Sequence, residues 1–273
     1  MGLNPARNIV IRAELPDSVP GQTVNRFCAS SIQSIATGAS MIMSGLQDIV
    51  VAGGVESMTC PVLSSDQQYL DEWLLQNTDT YISMGMTAEN VAEAFHLTRE
   101  EMDEMAIESH AKASNAVEEG LFIPEIIPVT GYDSQGNKVI FDTDECYRKG
   151  TNALTLSTLK PCFKEDGKVT AATSSQKSDR AAFLVLMSES KVKELGIKPL
   201  ASFVSFAVVG LDPAYMGLGP IGAVELVMER SGLKISDMDV IELNEAFASQ
   251  AMISIQKLGL EKKRSTPEAE HLH

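Results

Sequence analysis

The run from residue 22 to residue 54 sets the tightest limit on what this chain can fold into. Thr23 to Phe27 reads as extended and apolar, a strand candidate. Ile32, Ile35, Ala36, Ala39, Ile42, Met43 and Leu46 then recur at helical spacing and leave Gln33, Ser40 and Gln47 elsewhere. Gly45 lies near the helix end, where a left-handed residue is favoured. Ile49-Val50-Val51-Ala52 reads as a short buried strand, stopped by Gly53-Gly54. Strand, helix and strand over this length predict a βαβ unit with a right-handed crossover.

The same logic returns late in the chain. Ala182 to Met187 and Ser202 to Val209 are strand candidates, and Gly219-Pro220 opens a helix that reaches Arg230, with Gly232 just past its end. Val240 to Leu243 is a further strand candidate, and Phe247, Ala251, Ile255 and Leu258 form the apolar stripe of the next helix. The middle is less regular. Residues 60–83 read as a loop, Thr87 to Glu93 begins a helix, and Thr98-Arg99-Glu100-Glu101 is a capping-box sequence for a helix that Gly120 ends. Asp133 to Asn137 reads as a turn inside a hairpin over 125–141. The chain is therefore predicted to be α/β, two βαβ-like regions flanking a middle segment.

Charge narrows the partners. A formal net charge of −15 argues against nucleic acid, whose phosphates need clustered Lys and Arg, and against anionic membranes. An anionic small ligand stays open, since a helix start and a few cations suffice to hold it. The N-terminal segment lacks the apolar core of a secretory signal, and no run of about 18 apolar residues would span a membrane. The four cysteines, Cys28, Cys60, Cys146 and Cys162, form no CxxC pair, so structural zinc is not expected and the cytoplasm or another reducing compartment is. His271 and His273 are two imidazoles on a polar tail, too few for a metal site, and none is expected.

Two positions invite chemistry. Cys28 sits between the first strand candidate and a helix rich in small residues, and free N–H groups at a helix start favour a thiolate. Ala29, Ser30 and Ser31 leave room for a substrate. Position alone fits a small buried core cysteine equally well. Asn244-Glu245 lies at the tip of a strand candidate, where an amide can hold a water or polarise a carbonyl. It also fits an ordinary Asn N-cap followed by a first-turn Glu.

Taken together, the segments are more specific. VNRFCASSIQSIATGASMIMSGLQDIVVAGGVESM resembles the nucleophile region of thiolases, and NPAR at residues 4–7 the segment upstream of it. MGMTAENVA at 84–92, KVTAATSSQKSD at 168–179, GLDPAYMGLGP at 210–220 and NEAFASQ at 244–250 resemble further thiolase segments in the family's order. The likeness is strongest to the degradative 3-ketoacyl-CoA thiolases, acyltransferases of fatty-acid metabolism. It implies the thiolase fold, two similar βαβ-containing halves in five α-β-α-β-α layers with an inserted loop domain. On this chain that places a partial N-terminal half at 1–58 with 180–199 returning to it, a CoA-binding loop domain at 59–179, a partial C-terminal half at 200–260 and a polar tail at 261–273. It implies coenzyme A and acyl-CoA as substrates with no permanently bound cofactor, and a homo-oligomer, dimer or tetramer. Cys28 would take the acyl group as a thioester and Asn244 would hold a water at the oxyanion hole. Phe247 would line the pantetheine tunnel, Met84 the acyl pocket, Ser175 would contact the pantetheine arm and Arg148 the adenine nucleotide.

The chain also departs from the pattern. The family's Gly-His-Pro segment and its Gly-rich second-cysteine segment have no counterpart, since the histidines are His96, His110, His271 and His273. The strand and helix that usually precede NPAR are absent, so both sheet halves are expected to be incomplete, with open edges and faces. Arg180 stands where a Gly is usual and is expected to crowd a tight backbone passage. Ala172-Thr173 replaces a Gly-Asn pair. A chain that binds acyl-CoA or a partner without turnover is the competing expectation.

Overall fold

The computed structural model describes residues 4–59 and 70–260. In chain order its elements are α1 (Pro5–Arg12), α2 (Ser30–Met43), β1 (Ile49–Glu56), α3 (Glu72–Asn77), α4 (Met84–Ala94), α5 (Arg99–Glu118), β2 (Val129–Tyr132) and β3 (Lys138–Phe141). They continue with α6 (Ala153–Ser157), β4 (Arg180–Met187), α7 (Glu189–Leu195), α8 (Gly219–Ser231) and α9 (Ala248–Leu258). The chain divides into two compact units, residues 1–69 with 177–206 and residues 70–176 with 207–273.

In the first unit β1 and β4 pair antiparallel, from Ile49 opposite Met187 to Glu56 opposite Arg180. The expected parallel βαβ pairing is therefore corrected. Thr23 to Phe27 forms no strand, because no chain among the described residues supplies its ladder, and an extended run without a hydrogen-bonding partner is not a strand. The same correction applies to Ser202–Val209, and to Val240–Leu243, which holds only an isolated bridge at Ile241.

Helix α2 packs on the β1–β4 pair through Gly38. A Cβ there would lie 2.9 Å from Leu186 Cδ1 and 3.0 Å from Val50 Cγ1, so only glycine lets helix and sheet approach this closely. Gly53-Gly54 does not stop β1, which runs through both. A Cβ at Gly53 would meet the Ala182 carbonyl at 2.2 Å, and one at Gly54 the Ser31 hydroxyl at 2.1 Å. The pair is needed for close passage rather than for a turn. Ser34 closes the joint, its hydroxyl donating to the Gly53 carbonyl and accepting from the Gly53 N–H, both at 3.0 Å. On the face away from α2, Val51, Phe183 and Val185 stay exposed, as expected for a bare sheet face.

The NPAR segment starts α1 and is pinned locally. Asn4 Nδ2 donates to the Gly21 carbonyl at 2.8 Å, and Thr23 Oγ1 donates to Asn4 Oδ1 at 2.7 Å while accepting the Ala6 N–H at 3.2 Å.

The second unit has a helical core of Val91, Ala92, Leu97, Met102, Ala248 and Ile253, with Met102 and Val91 fully buried. The capping box forms as expected, Thr98 with Glu101 at the start of α5, and Gly120 follows with φ +74°. Arg99 and Asp103 pair at 2.8 Å, and the guanidinium also donates to the Leu159 and Leu156 carbonyls, so that buried charge is satisfied on both sides. The hairpin is β2–β3, with Asp133 Oδ1 accepting from the Gln135 and Asn137 N–H groups in its turn. The segment read as loop at 60–83 carries α3, capped by Asp71. Its residues 60–69, with Cys60, lie outside the described residues, as does the tail with His271 and His273.

Candidate active site

Cys28 belongs to the first unit and lies in a 3-10 turn, Phe27–Ala29, that runs directly into α2. Its thiol is exposed, which removes the buried-core alternative. The turn is held by local bonds. Asn25 Oδ1 accepts the Phe27 N–H at 2.9 Å, the Arg26 N–H donates to Ser30 Oγ at 2.8 Å, and Ser30 Oγ donates to the Phe27 carbonyl at 2.7 Å. Phe27 is forced to φ +47°, a left-handed geometry that costs an ordinary side chain on the order of 1–3 kcal/mol. No side chain caps the start of α2 and no acid lies in its first turn, while the Ala29 and Ser30 N–H groups donate to the Arg26 and Phe27 carbonyls of the preceding turn.

Met84, Arg148, Ser175, Asn244 and Phe247 all belong to the second unit, and the structure ties them together. The segments carrying Ser175 and Phe247 run antiparallel. Ser174 bridges Phe247, the Ser175 N–H donates to the Ala246 carbonyl at 2.9 Å, and the Ala248 N–H donates to the Thr173 carbonyl at 2.9 Å. Thr173, at the position expected to differ, is buried and takes the Thr170 N–H at 2.9 Å, so it anchors this segment. Glu89 of α4 supports it from below, its buried carboxylate accepting the Lys168 and Val169 N–H groups at 2.9 and 2.8 Å.

Met84 is the first residue of α4, whose N-cap is Ser83. The adjoining Gly85 lies under Phe163, because a Cβ there would sit 2.1 Å from the ring. Phe163 meets Phe247 edge to face at 6.0 Å. Asn244 is exposed and does not cap α9, whose N-cap is Phe247; the simple capping alternative is thereby removed. The buried Gln250 holds the Asn244 segment by donating to the Asn244 carbonyl at 3.2 Å and accepting the Phe247 N–H at 3.3 Å.

Arg148 is exposed, and the segment that carries it is gripped twice. Its N–H donates to His110 Nδ1 at 3.2 Å, and the Cys146 carbonyl accepts from Gln176 Nε2. Burial, then the Arg148 charge, lower the His110 pKa, with Glu245 opposing. Ser109 Oγ donates to Glu245 at 2.6 Å, so α5 touches both the Arg148 segment and the Asn244 loop. Glu242 is exposed as a residue, but partial desolvation of its carboxyl, then the Glu245 and Glu125 charges, raise its pKa.

Phe163, His110, Gln176 and Gln250 escaped the sequence reading. Gln176 and Gln250 lie inside informative segments, but nothing in their spacing marks a side chain that holds its own loop. The crowding expected at Arg180 does not occur, because the side chain is exposed and its Nη2 donates to Ser178 Oγ at 2.7 Å. Cys146 and Cys162 are free thiols. Among the described residues no group of three or more His, Cys, Asp or Glu could hold a metal, and no helix is long and apolar enough to cross a membrane.

Comparisons with known proteins agree with one another. A family model described as thiolase, N-terminal domain, matches residues 1–190, and one described as thiolase, C-terminal domain, matches residues 197–268. The chain is 46% identical over 260 residues to a 3-ketoacyl-CoA thiolase of Klebsiella pneumoniae, covering 95% of this chain and 67% of that one. It is 43% identical over 272 residues to an acetyl-CoA acetyltransferase of Allochromatium vinosum, covering 95% and 69%. The crystal structure of the Bacillus anthracis acetyl-CoA acetyltransferase matches with a TM-score of 0.87 at 39% identity, over 97% of this chain and 71% of that one.

Proposed function

The chain belongs to the thiolase family of acyl-CoA acyltransferases, and from that membership we propose that it transfers acyl groups through a thioester on Cys28. The observation that carries the reading is the exposed Cys28 thiol at the uncapped start of α2.

In the degradative direction the Cys28 thiolate attacks the 3-keto carbon of a 3-ketoacyl-CoA. The bond between the second and third carbons breaks, its electron pair takes a proton, and acetyl-CoA leaves. The thiol of a second CoA then attacks the Cys28 thioester and releases the shortened acyl-CoA, returning Cys28 to its starting form. Splitting the transfer this way gives ping-pong kinetics. Asn244 holds the water that polarises the thioester carbonyl. Ser175 and Phe247 line the pantetheine path, Met84 walls the acyl pocket, and Arg148 meets the nucleotide. The bonds joining residues 173–175 to 246–248 support a shared role for Ser175 and Phe247. The loop domain is taken as residues 59–179. A homo-oligomer in the cytoplasm or another reducing compartment completes the reading, supported by the open apolar face of Val51 and Val185 and by the free thiols.

A second reading is a thiolase-like chain that binds acyl-CoA or a partner without turnover. None of the four histidines in this sequence stands in a Gly-His-Pro segment, the family's usual source of a base. Intact mass after incubation with acetyl-CoA tests the first reading. An acetyl adduct is expected on the wild-type chain and not on Cys28→Ala; no adduct with any acyl-CoA would sink it. Turnover separates the two readings, because loss of a general base costs at least about a hundredfold.

A further inference from the structure

We propose that His110 is a positioning residue that sets Arg148 for the phosphate-bearing end of a CoA thioester, and does so only while its imidazole is neutral. The inference rests on the acyl-CoA reading above. A neutral imidazole presents one ring nitrogen as an acceptor, whereas the imidazolium carries N–H on both and cannot accept. Here Nδ1 accepts the Arg148 N–H at 3.2 Å, so this contact exists only in the neutral form. Gln176 grips the same segment at the Cys146 carbonyl, and His110 supplies its second hold.

The held segment lines a groove of about 220 Å³, whose walls include Asn115 and Glu118 of α5 together with Arg148, Lys149 and Thr151. Lys149 pairs with Glu118 at 2.5 Å, while the exposed Arg148 guanidinium has no ion pair among the described residues. In a chain of net charge −15, an arginine without an ion pair beside the Asn115 amide suits a phosphate. The charged groups facing His110 are Arg148 on this segment and Glu245 on the loop before α9. Helix α6 carries no titratable group, and on α9 Lys257 lies over the Phe95 ring.

Burial and the Arg148 charge hold the His110 pKa below its ordinary value. The contact is therefore complete above the ordinary imidazole pKa and is lost as pH falls through the lowered one. Asn at this position would keep an acceptor near Nδ1 without the titration.

Calorimetric titration of the full chain with CoA and with pantetheine, at about pH 4.5 and about pH 8, brackets the lowered imidazole range. CoA carries a phosphate monoester that itself titrates near about pH 6, so His110→Asn reports the ligand's own pH dependence. The wild-type chain should lose about tenfold more CoA affinity on acidification than His110→Asn, the worth of one ordinary hydrogen bond. His110→Leu should bind CoA weakly at both values, and pantetheine binding should be the same in all three. Equal pH dependence in wild type and His110→Asn would overturn the proposal, as would wild-type CoA affinity in His110→Leu. If His110→Leu does not fold, the first comparison decides alone. A wild-type chain that binds neither CoA nor pantetheine overturns the acyl-CoA reading itself, and this inference with it.

Discussion

Gln250 donates its side-chain amide to the Asn244 carbonyl at 3.2 Å and accepts the Phe247 N–H at 3.3 Å through the same group. One buried side chain therefore spans the loop that presents both residues, and Gly217 makes room for it, since a Cβ there would lie 3.0 Å from Gln250 Cγ. Gln250→Leu keeps the bulk and strands both backbone groups. It is expected to cost about 1–3 kcal/mol in urea unfolding. Under the role proposed for Asn244 at the oxyanion hole, acyl transfer should fall with it through a lower kcat, because Asn244 is displaced. An unfolding midpoint equal to wild type would show that the clamp contributes nothing.

Gly85 and Phe163 form a second test. A Cβ at Gly85 would overlap the ring at 2.1 Å, so Gly85→Ala must push Phe163 away from its edge contact with Phe247. Overpacking of this kind costs about 1–3 kcal/mol. Phe163→Leu in the same chain removes the obstructing ring edge, and the double variant should unfold closer to Phe163→Leu alone than additivity allows. Strict additivity would mean that the glycine is tolerated for another reason.

Glu242 gives a pH signature opposite in sign to most carboxylates. Its pKa is raised by partial burial first and by Glu245 and Glu125 next, so the fold opposes its ionisation. That cost is absent below the ordinary carboxylate pKa and grows as pH rises through the raised one. Glu242→Gln should therefore melt at a higher temperature than wild type at neutral pH. The difference should vanish in acid below the ordinary carboxylate range. A melting temperature unchanged at neutral pH would remove the strain attributed to this carboxyl.

Local signals were legible where the physics is local. The capping box at Thr98, the stops at Gly120 and Gly232 and the Asp133 turn all involve partners within a few residues. Strand pairing was not legible, since β1 meets β4 more than a hundred residues away and nothing in Ile49–Ala52 names that partner or its direction. Gly53-Gly54 was misread as a stop for the same reason: the atoms that exclude a side chain there belong to Ala182 and Ser31.

The sequence by itself determined the family, the nucleophile candidate Cys28 and the segment order, because those reside in residue identity and spacing. Only the tertiary structure decided that Cys28 is exposed and that Phe247, rather than Asn244, caps α9. It also decided that His110, Gln176 and Gln250 hold the loops carrying Arg148, Ser175 and Asn244. Exposure and hydrogen-bond partnership depend on which distant residues the fold brings within about 3 Å, and a linear pattern does not carry that distance.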